Sequence, residues 1–516
     1  MSSTTTDFGD PAESPADRDG LDESADTATT STDNTATDSA DGSTAKSSVT
    51  ERALPRSWRP LVLRLHFYAG VLVAPFILIA ALTGGLYALA PTIEKFVYSD
   101  ELTVESTGAA ALPLSQQVAA ARAAYPDLTV SAVLPPSSST TSTRVHFIDP
   151  GLGEEQLRAV FVDPYTGAVS GSETSWFGSL PFSTWVDVLH RDLHLGEFGN
   201  LYSELAASWL WVVVLGGLLL WWAKYRGDRV RGRRARIIGV DRSVRGRART
   251  LNWHGASGLW IAAALLFLSA TGITWSPYAG EHVTDLRAAM SWQRPQLDTA
   301  LGHDETSTDG SHSEHGAAQP GSVDISGIDL DRVVEIADRA GVAAPVEITL
   351  PTEPGQAIGV AEAAKPYRLT TDSVAIDPGT SQVTGNVDYN RDYPLFAKLA
   401  DWGIRGHMGI LFGLLNQLLL LAIALVLVTV IVRGYRMWWQ RRPTRGSAFA
   451  LGRPPIRGGI ARAPVAGIVV LAIVAVAVGW FLPLLGISLL VFLTLDIAIG
   501  AVGRRAARSA PTAQVR

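Results

Sequence analysis

The strongest constraint on this chain is an internal repeat that places histidines at matching positions in its two halves. His66 is followed seventeen residues later by Thr83-Gly84, and His254 is followed at the same spacing by Thr271-Gly272. Repeats constrain the architecture more than any other sequence pattern. The repeat therefore predicts two related units, each with a potential ligand at the same place.

A second pair of histidines has the same property. His190 lies twenty-seven residues before Gly217, and His407 lies twenty-seven residues before Gly434. Each of these glycines opens a Gly-x-x-x-Trp-Trp sequence. Imidazole is the commonest protein ligand for haem and many metals. Four histidines in two matched pairs are thus candidate axial ligands, although any one of them could instead hydrogen-bond to a headgroup or a backbone carbonyl.

Hydropathy indicates a membrane protein rather than several soluble domains. Hydrophobic residues make up 47% of the chain, which has 15 tryptophans. Six apolar stretches approach the roughly 20 residues that cross a bilayer. They lie at about 62–90, 202–223, 255–276, 408–432, 465–483 and 485–503. The predicted fold is an α-helical polytopic membrane protein with about six transmembrane helices, the last two forming a hairpin around Pro483.

Charge and cysteine content limit the remaining possibilities. The first 45 residues are rich in Ser, Thr and Asp, so residues 1–50 are predicted to form a disordered acidic tail. The tail lacks the basic start and apolar core of a signal peptide. The chain contains no cysteine, which excludes disulfides, iron–sulfur clusters and c-type haem attachment. Any metal or haem must be held by other ligands.

Four basic clusters predict the orientation, because positive residues mark the cytoplasmic side. Arg59 and Arg64 open the first span, and clusters at 224–236, 433–442 and 504–508 follow spans two, four and six. Both termini are therefore expected in the cytoplasm of a cell-membrane protein, with residues 92–200 and 277–405 outside. The basic loop 224–249 is interpreted as a lipid contact and not as a nucleic-acid site.

Each external segment has the pattern of a small α+β domain. The first offers a helix at Leu114–Tyr125 and strands at about 128–134, 143–149 and 157–163. The second offers a helix at about 329–340 and strands at about 345–350, 356–361 and 373–377. Both end in related Asp-Pro turns, at Asp163-Pro164 and at Asp377-Pro378. The repeated unit is therefore helix, external domain, helix.

The second segment also contains a polar insert, residues 302–321, that is missing from the first. The insert carries His303, His312 and His315. Such a segment could collect metal loosely, but its composition favours a solvated, disordered linker.

Helix length and the symmetry of the repeat predict where the four histidines lie in the membrane. Seventeen helical residues rise about 26 Å, so His66 and His254 are expected near the inner face. Twenty-seven helical residues rise about 40 Å, more than the roughly 30 Å hydrocarbon core, so His190 and His407 are expected at or beyond the outer interface. A pseudo-two-fold axis along the membrane normal relates the halves. A haem iron on this axis would have matched axial imidazoles, one pair inside and one outside.

Several residues flank the predicted outer site. Arg191 and Arg405 could pair with haem propionates or an anionic ferric chelate, although headgroup anchoring also remains open. His194 lies four residues after His190 and has Leu411 at the matching position of the second half. It is a reserve ligand or a neighbour of the outer site. No catalytic residue is assigned.

The combined motifs resemble the PepSY-associated transmembrane family, the iron-regulated membrane proteins of the PiuB type. The resemblance covers about 60–443 and departs in the tail 1–50 and the hairpin 465–503. It implies that 92–183 and 277–400 are PepSY domains, and that the chain is similar to haem-containing ferric-siderophore reductases. The residues that carry it are Leu65-His66 with Thr83-Gly84, His190-Arg191 with Gly217 and Trp221, His254 with Thr271-Gly272, and Arg405-Gly406-His407-Met408-Gly409 with Trp438 and Arg441-Arg442-Pro443.

Missing motifs narrow the functional classes. The chain has no P-loop and no G-x-G-x-x-G sequence after a strand, which excludes the usual ATP-driven pumps and Rossmann nucleotide sites. Apart from Asp496, which receives no role, the spans are interpreted as lacking the acids of a proton-coupled transporter.

Two functions of different classes follow. The first is haem-dependent transmembrane electron transfer with two haem b groups, from a flavin, quinone or partner reductase inside to a ferric siderophore outside. The alternative is a non-enzymatic membrane protein that binds a ligand or peptide through its PepSY domains and regulates or assists uptake.

Overall fold

The computed structural model describes residues 58–106, 108–232, 236–302, 327–441, 455 and 464–509, with side chains up to residue 502. The predicted acidic tail lies outside the described residues. So does the polar insert, apart from Gly302, and with it the three histidines of that insert.

Helices dominate the described part of the chain, and long ones build a bundle. Five of them are long and apolar enough to cross a membrane, namely α2, α6, α7, α12 and α14, while α13 is apolar but has 17 residues. This supports a multi-pass membrane protein. The helices are α1 (Arg59–Leu72), α2 (Ala74–Val97), α3 (Ser99–Leu102), α4 (Leu114–Ala124), α5 (Pro181–Asp192), α6 (Glu197–Val230), α7 (Gly246–Ile273), α8 (Pro277–Ala289), α9 (Leu330–Arg339), α10 (Tyr389–Asp392), α11 (Leu395–His407), α12 (Gly413–Trp439), α13 (Val465–Phe481) and α14 (Pro483–Ser509).

Four of these helices form the centre of the bundle. Helix α2 contacts α12, α12 contacts α7, α7 contacts α6 and α6 contacts α2, so the ring of contacts closes. Helices α1 and α2 follow each other through Val73, and Pro75 at the start of α2 cannot donate the hydrogen bond that a continuous helix needs. The predicted span 62–90 is therefore two helices. The matching residue in α7 is Ala263, and α7 is continuous.

The strands form one eight-stranded antiparallel sheet with the order β4-β3-β2-β1-β5-β6-β7-β8. Each half is a four-stranded meander, and the halves join where β1 pairs with β5. Helices α4 and α9 pack on the same face of the sheet and share its hydrophobic core. The strands are β1 (Thr129–Leu134), β2 (Thr143–Ile148), β3 (Gln156–Val162), β4 (Val169–Trp176), β5 (Val346–Thr349), β6 (Ile358–Glu362), β7 (Ser373–Ile376) and β8 (Val383–Val387).

The repeated Asp-Pro turns have the same hydrogen bonds in both halves. Asp163 accepts the backbone N–H of Tyr165 at 2.8 Å and the hydroxyl of Thr166 at 2.8 Å. Asp377 accepts the N–H of Gly379 at 2.8 Å and the hydroxyl of Thr380 at 2.7 Å. The two predicted hairpin ends are thus equivalent turns. Strand β4 follows the first turn and β8 follows the second.

The C-terminal helices α13 and α14 form a close hairpin against the bundle. Gly479 and Gly486 touch, since a Cβ on Gly486 would lie 2.6 Å from the carbonyl oxygen of Gly479. Trp209 of α6 donates to Ser488 of α14 at 2.8 Å. Asp496 forms an ion pair with Arg64 of α1, so this acid in the last span has a cationic partner.

We predict that the sheet lies outside the membrane and the loop after α6 inside. The chain has no cysteine, so a single introduced cysteine is a unique label. Ser138→Cys and Ser243→Cys both place the thiol at an exposed position. A membrane-impermeant maleimide should label Ser138→Cys on intact cells and Ser243→Cys only after lysis. The reverse pattern would invert the orientation.

A buried histidine makes the sheet sensitive to acid. His146 of β2 is 2% exposed, and neither ring nitrogen has a hydrogen-bond partner. Burial, with a smaller contribution from Arg144, lowers the pKa of His146 from 6.5 to about 4. An unfolded chain would take up this proton at higher pH than the folded sheet does, so protonation favours unfolding.

We predict that the sheet keeps its full stability above about pH 6.5 and loses about 3 kcal/mol as the pH falls from there to about 4. His146→Leu should remove most of this loss. Hydrogen–deuterium exchange of β1–β3, corrected for intrinsic exchange rates, measures the effect at pH 7 and pH 5. Equal acid sensitivity in the two proteins would contradict the assignment to His146.

Candidate functional site

The structure brings the four repeated histidines together in the two predicted pairs. The rings of His66 on α1 and His254 on α7 have centroids 6.3 Å apart. The rings of His190 on α5 and His407 on α11 have centroids 6.4 Å apart. Each pair joins the two halves of the repeat, so the pseudo-two-fold axis passes between its rings.

His66 and His254, the pair expected near the inner face and called the inner pair, are each oriented by a backbone carbonyl. Nδ1 of His66 lies 2.9 Å from the carbonyl oxygen of Val213, and Nδ1 of His254 lies 2.9 Å from that of Val430. A carbonyl can only accept, so Nδ1 carries the proton in both rings. Nε2 then has a free lone pair, which is the form that binds a metal.

Threonines orient the outer pair in the same sense. Nδ1 of His190 lies 3.0 Å from the hydroxyl of Thr83, and Nδ1 of His407 lies 2.6 Å from that of Thr271. Each hydroxyl donates its own proton to the backbone carbonyl four residues earlier, at 2.9 Å. A hydroxyl that gives its proton to this carbonyl accepts from the imidazole, and Nε2 is then left unprotonated.

The outer imidazoles are neutral at physiological pH. They lie on α5 and α11, which are not among the candidate spans. Burial lowers the pKa of His190 to about 4. Burial and the nearby His190 lower the pKa of His407 to about 3. Neutral rings are what metal ligation requires.

A glycine faces each ring, and at Gly84 and Gly217 it makes room for the imidazole. A Cβ on Gly84 would lie 2.8 Å from Cε1 of His190, and one on Gly217 would lie 3.1 Å from Cε1 of His66. Gly272 and Gly434 face His407 and His254 at 3.5 and 3.6 Å. The glycines of the two Thr-Gly sequences therefore face the outer histidines, His190 and His407. The glycines that open the Gly-x-x-x-Trp-Trp sequences face the inner histidines. Spacing along one helix cannot reveal this crosswise pairing.

The ring separations fit two imidazoles on opposite sides of one metal. A metal–imidazole bond is about 2.0 Å and the ring centre lies ~1.1 Å further on, which places two centroids about 6.2 Å apart. The described residues contain no group of three or more His, Cys, Asp or Glu side chains that could hold a metal ion. Two protein ligands suit a metal whose other positions are filled by a macrocycle, as in haem.

The outer pair opens into a cavity of about 660 Å³ between the central helices. This volume is within the range of cofactor sites. Its wall is mainly apolar and rich in small side chains, which leaves space for a flat ligand. The small residues of the wall are Ala80, Ala81, Gly84, Gly85, Ala206, Ala207, Gly272 and Ala424.

Helix α7 sets the distance between the two pairs. His254 and Thr271 both lie on this unbroken helix, and their seventeen-residue separation corresponds to about 26 Å. Thr271 holds His407, so the inner and outer pairs lie near opposite ends of the same helix.

The depth estimate for His190 and His407 treated the residues up to Gly217 and Gly434 as one continuous helix, and the structure shows two helices in each case. Helix α5 ends at Asp192 and α11 ends at His407, before α6 and α12 begin. Left-handed backbone at Leu193 and His194, and at Gly409 and Gly413, reverses the chain between these helices. The outer histidines are therefore carried by separate helices that turn back onto Thr83 and Thr271.

The flanking residues occupy different environments. Arg191 lines the cavity, and its guanidinium lies 5.1 Å from the ring centre of Trp176. Arg405 instead pairs with Asp401 and donates to the carbonyl oxygen of Arg368 at 2.9 Å, and it is not a cavity residue. His194 packs against Trp185 with centroids 5.0 Å apart, away from the cavity.

Two aromatic residues at the outer pair were missed in the sequence. Tyr87 stacks on His190 with centroids 6.0 Å apart, and Trp275 lies against His407 at 6.1 Å. Each follows its threonine by four residues, so the repeat contained a signal for them.

The interpretation that the spans lack buried acids apart from Asp496 is wrong. Glu204 lies in α6, within the predicted span 202–223, and is 1% exposed. Its carboxylate accepts the N–H groups of Tyr278 and Ala279, and the residue lines the cavity. Leu421 occupies the matching position of the second half, so the repeat could not indicate this residue.

Comparison with known protein families assigns the chain to one family. No curated protein matches the chain. The family model described as the PepSY-associated TM region matches residues 63–441, more than two thirds of the chain. The match includes all four paired histidines and both meanders of the sheet, and it ends before the hairpin α13–α14. The protein therefore belongs to the PepSY-associated transmembrane family.

Proposed function

We propose that the protein carries electrons across the cell membrane and reduces a ferric, siderophore-type chelate outside. The observation that supports this most is the geometry of two histidine pairs, each with centroids near 6.3 Å apart and with every Nδ1 in hydrogen-bond contact with a backbone carbonyl or a threonine hydroxyl. His66 and His254 would hold one haem b, and His190 and His407 the other. Bound there, haem would supply one-electron Fe(III)/Fe(II) chemistry at each end of the bundle.

The inner end of the bundle suits an anionic electron donor. Arg433 lies over the ring of Trp253 at 5.4 Å, and Arg441 lies over that of Phe67 at 6.0 Å. Trp253 and Phe67 are direct sequence neighbours of His254 and His66. Cations at this place would attract a reduced flavin or an acidic partner reductase. A quinone remains a further candidate donor.

The outer end suits an anionic iron chelate. The cavity extends from His190 and His407 to Glu155, Trp176 and Phe177 of the sheet domain. The side chain of Arg191 is 41% exposed at this side and can donate to carboxylate or hydroxamate oxygens. One electron added to Fe(III) gives Fe(II), which hard oxygen ligands hold less tightly, so reduction would release the iron.

We predict that each ligand pair binds its haem independently. Ala substitution of His66 or His254 should remove the inner haem only, and the same change at His190 or His407 should remove the outer haem only. The loss is expected because the one remaining imidazole would hold the haem too weakly. Haem content and the visible spectrum of the purified protein measure this. His194→Ala is the matched control, since His194 packs on Trp185 and should leave both haems in place.

Full haem content in all four variants would contradict the ligand assignment. A wild-type protein that stays colourless after growth with abundant haem would favour the alternative, a non-enzymatic PepSY protein that binds a ligand or peptide.

We also predict a functional division between the pairs. His190→Ala and His407→Ala should abolish reduction of a ferric chelate added outside, while the inner haem is still reduced by a donor on the cytoplasmic side. The reason is that the inner pair, which remains intact, lies about 26 Å from the outer pair and is too far from a chelate outside the membrane. Inside-out vesicles with a reduced flavin, monitored by the haem absorption bands, test the inner step. Undiminished chelate reduction in these variants would place the outer reaction elsewhere.

A further inference from the structure

Glu204 is a buried acid in the wall of the outer cavity. It lies on α6 and is 1% exposed. Oε2 accepts the N–H of Tyr278 at 3.0 Å, and Oε1 accepts that of Ala279 at 3.2 Å. An ionisable residue at this depth is costly and usually functional.

The surroundings of Glu204 favour a negative charge. Tyr278 and Ala279 belong to the first turn of α8, where free N–H groups and the helix dipole stabilise an anion. No Lys or Arg side chain lies within ion-pair distance of Glu204 in the part of the chain that the structure describes. The charge is therefore held by backbone groups and is not cancelled by a neighbouring cation.

Glu204 is also connected to the outer histidine pair. Its two N–H partners follow closely after Trp275, which lies against the ring of His407. The corner between α7 and α8 is tight, because a Cβ on Gly280 would lie 3.0 Å from the carbonyl oxygen of Thr274. Glu204, Trp275 and His407 all line one cavity.

The other carboxylates of the cavity have different surroundings. Asp187 faces Arg191 at 4.0 Å, and Glu155 at the mouth accepts the indole N–H of Trp176 at 3.0 Å. In the second half, Leu421 stands at the position that matches Glu204. The negative charge is thus placed on one side of a site that is otherwise nearly symmetric.

We propose that Glu204 is a positioning residue that sets the reduction potential of the outer site. The proposal rests on the proposed function, that is, on haem held by His190 and His407. A fixed negative charge in a low-dielectric cavity stabilises the oxidised, more positive iron. It thereby lowers the potential of the outer haem, which favours electron transfer onward to a ferric chelate. The role needs no proton transfer by Glu204 itself.

The test is a potentiometric titration of the purified, haem-loaded full chain. Glu204→Gln removes the charge at constant size and should move the outer midpoint to a more positive potential, with the inner midpoint unchanged. Glu204→Asp keeps the charge and should keep the outer midpoint near that of the wild type. The Gln variant should also reduce ferric chelate more slowly while its outer haem stays reduced for longer.

Glu94 offers a matched control. It lies on α2, accepts the N–H of Leu180 at 3.1 Å and does not line the cavity. Glu94→Gln should therefore leave both midpoints in place. Glu204→Asn is a second neutral variant, in case the Gln variant does not fold.

The outcomes separate this proposal from the proposed function. Two haems with an unchanged outer midpoint in the neutral variants would overturn the role of Glu204 and leave the electron-transfer function intact. Equal shifts in the Asp and Gln variants, or loss of the fold in both neutral variants, would show a structural role and also overturn it. A wild-type protein without haem would overturn the proposed function, and this inference with it.

Discussion

The site depends on one interaction: each of the four repeated imidazoles is fixed between helices by a hydrogen bond at Nδ1, and a proton at Nδ1 leaves Nε2 able to bind a metal. Val213, Val430, Thr83 and Thr271 provide that bond at Nδ1 of the four histidines. The threonine hydroxyls can accept because their own protons go to the helix backbone. The free Nε2 atoms are the reason that these histidines are candidate ligands and not ordinary core residues.

The same interaction determines how closely the helices approach. Glycine faces each ring on the neighbouring helix, and at Gly84 and Gly217 a Cβ would crowd the imidazole. Because the chain is duplicated, the arrangement occurs twice and the rings meet near the axis. The shared sheet repeats this symmetry, since its two meanders join edge to edge at β1 and β5.

Departures from symmetry are found mainly around the outer pair. Glu204, Arg191 and Tyr87 have Leu421, Met408 and Trp275 at the matching positions. A symmetric pair of histidines is thus set in an asymmetric environment, with charge and hydroxyl groups on the side of the first half. The hairpin α13–α14 adds a further asymmetry, because Asp496 on it pairs with Arg64 near the inner histidines.

The sequence by itself determined the duplicated unit, the main helix and first three strands of each half of the sheet within a few residues, and the pairing of His66 with His254 and of His190 with His407. Equal spacing encodes all of these, because equivalent residues in two related halves meet at a common axis. Only the tertiary structure decided that α5 and α11 turn back onto Thr83 and Thr271, that Arg405 is engaged with Asp401, and that Glu204 faces the cavity. These features depend on left-handed residues and on contacts between distant helices, which periodicity along one helix does not contain.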